Sequence, residues 1–569
     1  MSKNHREKII LIAAFFLLMP LMAKADYLSQ RVNFFIDSDY DLLKRNQLVA
    51  TLQKIADKLY FYIDDDWWNS LDNQKRDEVN QTLANLSLEF ENKIYPTLTS
   101  TFGSEWKPGI DKDERITVLI HPMIEEAGGY FNSGDEYRRI QNPESNEREM
   151  VYLNSQQIDK SYTKSLLAHE FMHLITFNQK AKYGVEEEIW LNETRSEYAP
   201  TLLGYDDVYE GSNLQRRVRN FLGKPTDSLT EWSNSKYDYG VVNLFIQYLV
   251  DRYGKEILID SLQSEKVGIP SINYALEKNG FKENFSQIFT DWTITVLVND
   301  CNFGSQYCYL NPNLKNIRVV PQTNFLPLFG NSSLSTLNIT KNWAGNWHKI
   351  VGGRGTLTFE FDGDDRVNFK VPYLLCDNQV KCSIENLFLD KEQKGSFTLT
   401  KFNENYSSFT IIPLIENKIS GFNGLESDYF FSWKASTVEK TKEELEKEEE
   451  ERLLAQIDFL QKEIARVQAE IAAIIGTRPI SCQKFENNLY FGMMENSEVS
   501  CLQEFLKAQG PEIYPEGLIT GNFLNLTQSA VIRFQEKYAD EILKPLNLEK
   551  GTGYVGQMTR AKINELLGR

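Results

Sequence analysis

Histidine is scarce in this chain: five in 569 residues, one of them in the first ten. Basic residues are outnumbered, with 62 Lys and Arg against 80 Asp and Glu, for a net charge of −18. That balance excludes a nucleic-acid partner, because phosphate backbones require a basic face. No CxxC pair occurs, so a cysteine metal cluster has no local signature. Beyond the first 25 residues no run is long and apolar enough to span a bilayer, which needs about 20 residues.

The first 25 residues themselves read as a cleaved export signal. Lys3, Arg6 and Lys8 form a positive start, Ile9 to Met22 is apolar, and Ala23-Lys24-Ala25 offers small residues where a signal peptidase cuts. Cleavage there removes four basic residues and one acidic residue, a net three positive charges, which takes −18 to −21. The six cysteines fall in three close pairs (Cys301 and Cys308, Cys376 and Cys382, Cys482 and Cys501). In an exported chain such pairs read as local disulfides with no catalytic role. The expected location is outside the cell or at its surface and wall, or in the periplasm where there is an outer membrane.

The remaining length accommodates several domains, and texture changes along the chain divide it as a multidomain α+β protein. Residues 26–108 read as mostly helical, with Leu42, Leu48, Leu52, Ile55, Leu59, Leu83, Leu86, Phe90 and Ile94 at helical spacing. Residues 109–300 open with strand-like runs (Ile116 to Ile120, Gly129 to Phe131, Met150 to Leu153) and then turn helical. Residues 301–437 alternate polar and apolar positions between Gly, Asn and Asp turns, which predicts an accessory β-sandwich. Residues 438–478 are a charged, coiled-coil-like helical linker. Its positions Leu453, Ile457, Leu460, Ile464, Val467, Ile471 and Ile474 keep a 4-3 alternation, a seam for either a homodimer through 453–475 or packing as a spacer. Residues 479–569 form a compact last unit.

The scarce histidines concentrate where the chemistry is. Of the four beyond the leader, two stand in Leu166-Leu-Ala-His169-Glu170-Phe-Met-His173-Leu-Ile, leaving only His121 and His348 elsewhere. Positions i and i+4 share one helix face, so both imidazoles can reach one ion while Glu170 faces its bound water. This is the HExxH arrangement, two zinc ligands and a general base, and it predicts a zinc-dependent hydrolase of peptide bonds. Thr176 and Gln179 stand where a metzincin requires Gly and His.

Trp190-Leu-Asn192-Glu193-Thr-Arg-Ser196-Glu197-Tyr-Ala follows, with Glu193 twenty residues after His173. This setting resembles the gluzincins, the thermolysin-like clan of HExxH peptidases. By that resemblance Glu193 is the third zinc ligand, and Glu197 orients a zinc-bound imidazole where the clan has Asp. Tyr237-Asp238-Tyr239-Gly240 resembles the Tyr-x-x-Gly of gluzincin aminopeptidases and implies that Tyr237, or else Tyr239, stabilises the oxyanion. Gly128-Gly129-Tyr130-Phe131 is a candidate strand for pairing with extended substrate, or an ordinary turn. Asp111, Asp113 and Glu114 read either as a calcium turn or as a solvated acidic one. Across 110–300 the sequence is similar to the hyicolysin-like neutral metallopeptidases.

At the C-terminus, Leu502-Gln503, Thr527-Gln-Ser-Ala530-Val-Ile-Arg-Phe534-Gln535 and Val555-Gly556-Gln-Met-Thr559 resemble the three-helix peptidoglycan-binding domain of cell-wall hydrolases, with Leu524 where that domain has Gly. The resemblances together imply a secreted zinc metalloendopeptidase, acting on proteins or peptides and held at the wall by binding peptidoglycan. The rivals are a hydrolase of peptidoglycan stem peptides and a wall-anchored binding protein without activity.

Overall fold

The computed structural model describes residues 25–328, 330–379, 381–422, 424–438, 442–475, 482 and 484–569; the export-signal reading lies outside them. No helix among the described residues is long and apolar enough to cross a membrane. The chain divides into two units, one ending at Lys440 and one beginning at Thr441.

The first unit is built on a six-stranded sheet. Its strands are β1 (Arg31–Phe35), β2 (Gln47–Ile55), β3 (Leu59–Asp64), β4 (Ile116–His121), β5 (Gly129–Tyr130) and β6 (Met150–Asn154). They lie in the order β1-β2-β3-β4-β6-β5. Pairings β3–β4 and β4–β6 are parallel, and β5 is an antiparallel edge against β6. Both faces are covered. Leu59, Phe61, Ile63, Val118 and Ile120 join the helical core, whereas Tyr60, Tyr62, Leu119 and Tyr152 pack with Phe34 and Leu48 on the other side. Every residue of β3, β4 and β6 is therefore buried.

This sheet corrects the expectation of a mostly helical 26–108. Residues 31–64 hold the three strands β1 to β3, and helix begins only with α1 (Asp65–Ser70), α2 (Asn73–Glu89) and α3 (Tyr95–Phe102), the last two joined by one π turn at Phe90–Ile94. The cause is an ambiguity of period. Leu48 and Leu52 are four apart, which shares a face in a helix and equally in a strand; Ala50 between them is also buried, and that period of two decides for β2. A boundary at 108 also does not separate two bodies, since β3 pairs directly with β4.

The helical part follows: α4 (Thr163–Ala181), α5 (Ile189–Leu202), α6 (Asn213–Gly223), α7 (Lys236–Tyr253), α8 (Glu256–Leu262), α9 (Gly268–Lys278) and α10 (Phe285–Val298). Residues 301–320 stay with this body, where Trp292 Nε1 donates to the Tyr309 hydroxyl, which donates to the Leu244 carbonyl. The Cys301–Cys308 disulfide closes this stretch.

Strands β7 (Gln322–Leu326), β8 (Ser332–Thr340), β9 (His348–Gly352), β10 (Gly355–Gly363), β11 (Phe369–Asp377), β12 (Cys382–Leu387), β13 (Lys394–Phe402), β14 (Tyr406–Ile411), β15 (Leu414–Ile415) and β16 (Tyr429–Val438) make up the next part. One layer runs β12-β11-β14-β9-β7 and the other β13-β10-β16-β8, joined by a single pairing of Phe402 with Tyr406. Rings cross between the layers: Phe359 meets Phe409 at 5.2 Å and Tyr373 stacks on Phe397 at 4.7 Å. Cys376 and Cys382 are bonded across the β11–β12 hairpin. This part does not stand apart from the helices, because Trp343, Trp347 and Phe422 are buried in their core and Lys341 pairs with Glu231.

The second unit holds α11 (Lys442–Ile475) and a small helical module of α12 (Ser497–Ala508), α13 (Asn525–Lys537), α14 (Ala539–Ile542) and α15 (Gln557–Leu566). Cys482 and Cys501 are bonded within it. On α11, Leu453, Ile457, Leu460, Ile464 and Val467 are exposed, while Ile471 and Ile474 lie outside the described side chains.

Candidate metal centre

Helix α4 is buried from Ser165 to Thr176, so its two histidines and Glu170 are carried into the interior on an otherwise apolar rod. Helix α5 packs against it and presents Glu193 and Glu197 four residues apart, on one face. The two imidazole Nε2 atoms lie 3.2 Å apart. Glu193 Oε2 lies 3.2 Å from His169 Nε2 and 3.7 Å from His173 Nε2, buried and without a hydrogen-bond donor. Three electron-pair donors so placed repel one another unless a cation joins them. Ligands at the zinc–nitrogen distance of about 2.05 Å in a tetrahedron stand about 3.3 Å apart, so this donor set fits a zinc ion. Glu170 adjoins both histidines, its carboxyl within 4.8 Å of their ring nitrogens.

Each histidine is held from behind. His173 Nδ1 lies 3.0 Å from Asn192 Oδ1 and 3.2 Å from Ser196 Oγ. His169 Nδ1 lies 3.4 Å from Glu197 Oε1. Glu197 is wholly buried and is gripped by Arg217, by Asn213 Nδ2 at 3.0 Å and by Asn243 Nδ2 at 3.1 Å. Helices α6 and α7 so supply a cradle that fixes the reach of the Glu197 carboxylate toward His169.

Electrostatics agree with a cation pocket. Burial lowers the His169 pKa, but the Glu193 and Glu197 carboxylates beside its ring nitrogens outweigh it and bring the group to about 10. Burial raises Glu197, yet Arg217 and His169 hold it well below the usual carboxylate range. Burial pushes the Glu170 carboxyl up to about 8, opposed by the charge of His169.

The centre opens on a cavity of about 850 Å³ lined by Tyr40, Gly129, Glu170, Arg216, Tyr237 and Tyr239 among others. The two tyrosines of the Tyr-x-Tyr-Gly segment, both at the start of α7, part company here. The Tyr239 ring lies 6.4 Å from that of His169, with the Arg217 guanidinium 4.5 Å over it. The Tyr237 ring instead lies against Gly223, near Lys224 and Lys236. Gly129 needs its missing side chain: a Cβ would come 2.5 Å from the Tyr152 carbonyl and 2.9 Å from Glu170 Oε1. The edge strand β5 therefore runs directly beside the Glu170 carboxylate. Sequence reasoning missed Asn192, Asn213, Arg217 and Asn243. Asn192 adjoins Glu193 in the motif; the other three are brought in by tertiary packing alone.

No family model matches the chain. A stretch of 207 residues, 31% of the chain, is 26% identical to neutral metalloprotease ShpI of Staphylococcus hyicus. The chain spans 45% of that relative's length. Among solved structures, the periplasmic lysozyme inhibitor PliG of Aeromonas hydrophila is covered over 98% of its length at 11% identity and a TM-score of 0.14. The pre-peptidase C-terminal domain of a Bacillus anthracis collagenase is covered over 96% at 6% identity and a TM-score of 0.13. Scores this low carry no argument. The sequence similarity and the His/Glu donor set together support a metalloprotease, and the three disulfides fit an oxidising compartment.

Proposed function

We propose that this chain is an exported zinc-dependent endopeptidase held at the cell wall by its C-terminal module. The observation that carries the reading is the convergence of His169, His173 and Glu193 on one point, with Glu170 beside it at the floor of an open cavity. His169, His173 and Glu193 would hold the ion. Zinc held there would supply Lewis acidity toward the scissile carbonyl and toward water. Glu170 takes the proton from the attacking water and returns it to the leaving amine. Tyr239, the alternate of the pair weighed above, takes the oxyanion-donor role, supported by its ring beside His169; Tyr237 lines the outer cavity. Strand β5 receives extended substrate along its free edge, the mode expected of an edge strand beside the reacting centre.

For the module, support comes from an internal repeat. Gln503 Oε1 accepts from the Thr520 and Gly521 amides and its Nε2 donates to Thr527. Gln535, 32 residues on, accepts from Thr552 and Gly553 and donates to Thr559. Exposed Tyr554, just past the second turn, lies beside exposed Tyr490 with near-parallel rings, a surface suited to the flat faces of sugars. The exposed seam of α11 fits a homodimer through 453–475, to be read by sedimentation.

The test is hydrolysis of casein and of purified peptidoglycan by the mature protein, beside Glu170→Gln and a chelator. Casein cleavage lost in both controls, with zinc content unchanged in Glu170→Gln and a rate loss of about 10²–10⁴, is the expected result. Release of muropeptides instead establishes the stem-peptide reading. Binding to peptidoglycan with no cleavage of either substrate establishes the non-catalytic reading.

A further inference from the structure

We propose that Arg216 selects substrates that carry a carboxylate beside the scissile bond, either an acidic side chain or the free C-terminus of a short peptide. The inference rests on the peptidase reading and names the substrate class of that site. Arg216 stands on α6 and lines the same cavity as His169, Glu170 and Tyr239. It is half-buried. Its partners among the described residues are Asn213, whose Oδ1 accepts from Nη2 at 2.7 Å, and the Tyr162 ring, 5.4 Å from the guanidinium carbon. No carboxylate is among them.

The next residue shows the contrast. Arg217 donates to both oxygens of Glu197, through Nε at 2.8 Å and through Nη2. Glu197 also accepts from Asn213 Nδ2 and Asn243 Nδ2 and lies against His169 Nδ1, so its acceptor capacity is filled. The Asn213 amide turns its nitrogen to that carboxylate and leaves only a neutral oxygen for Arg216. Glu125 and Glu126 also line the cavity, but both are exposed and neither pairs with Arg216.

A guanidinium is a planar fork of N–H donors that matches the two oxygens of a carboxylate, and a single donor is engaged here. The Tyr162 face holds the plane of the fork, so little ordering is required when an anion arrives. The Arg217 charge and burial bring the Arg216 pKa down to about 10, opposed by Glu197. An incoming carboxylate relieves that repulsion, whereas a neutral side chain leaves it in place. A peptide lying beside the metal centre therefore gains most when it brings the missing charge.

The experiment digests dephosphorylated casein with the zinc-loaded mature protein and maps the cut bonds by mass spectrometry. Asp or Glu is expected to be enriched at one fixed position beside the cut. A synthetic peptide of that sequence, amidated at its C-terminus, is then compared with its Gln counterpart. The acid should be cleaved with a kcat/KM about ten- to a hundredfold higher. Arg216→Gln should bring that ratio close to unity, and Arg216→Glu should turn the preference toward Lys at the same position, with zinc content unchanged in both. Where the amidated pair is cleaved equally, a short peptide with a free C-terminus that is cut faster than its amide, in the parent alone, makes the chain terminus the carboxylate. Equal cleavage of acid, Gln and amide forms by the parent overturns the proposal, as does a preference that persists in Arg216→Gln. If Arg216→Gln does not fold, Arg216→Lys keeps the charge without the fork and should reduce the ratio; an unchanged ratio overturns the proposal. Equal cleavage of all forms leaves the peptidase reading standing, whereas cleavage of none overturns that reading and this one with it.

Discussion

The two tyrosines at the start of α7 differ in what they can reach, although sequence spacing pointed first to Tyr237. Tyr239 faces His169 and sits under Arg217, whose charge favours a negative oxygen nearby. Tyr237 packs on Gly223 beside two lysines. Tyr239→Phe is therefore expected to lower kcat about 10²–10³-fold, with little change in KM, while Tyr237→Phe alters KM more than kcat. Steady-state kinetics on one peptide substrate checks both. An equal loss in the two variants would remove the distinction drawn here. What the sequence made legible at this scale was the local part. His169, Glu170 and His173 share a helix and Glu193 follows at a set spacing, so one-dimensional pattern reached them. Arg217 and Asn243 reach Glu197 across 20 and 46 residues, and no periodicity encodes that.

Helices α5, α6 and α7 are tied together by one carboxylate. Glu197 on α5 takes Arg217 and Asn213 from α6 and Asn243 from α7, all buried. Removing its charge leaves Arg217 uncompensated in the interior, a loss of about 3–5 kcal/mol. Glu197→Gln should therefore lower stability in denaturant unfolding by that amount and weaken zinc binding about 10–100-fold. Were Glu197 merely a solvated helix residue, both quantities would stay at the parent value. Strand β5 makes a second case. Gly129→Ala forces a methyl against the Tyr152 carbonyl and Glu170, so the edge strand must shift away from β6. A cost of about 1–3 kcal/mol is expected, with kcat/KM reduced more than zinc content. Elements are less legible than residues: Leu48 and Leu52 satisfy both periods, and the choice of strand rests on the buried Ala50 between them and on the pairing of β2 with β3.

At the scale of the whole molecule, the division between Lys440 and Thr441 matters more than the boundaries drawn from texture. Residues 26–108 share a sheet with the metal-site domain, and the β-sandwich places Trp343 and Trp347 in the helical core, so neither is a separable appendage. Composition alone misleads here, because a strand-rich texture reports local period and not which core a segment completes. The second unit, in contrast, buries its own core of Phe485, Leu502, Leu506, Phe523, Val531 and Phe534. A chain ending at Val438 should accordingly keep its thermal unfolding transition and its casein turnover, and lose co-sedimentation with purified peptidoglycan. Turnover unchanged with binding lost assigns the last unit to anchoring alone. If turnover on casein collapses while the shorter chain still unfolds cooperatively, the second unit contributes to substrate handling and the division of labour argued here fails.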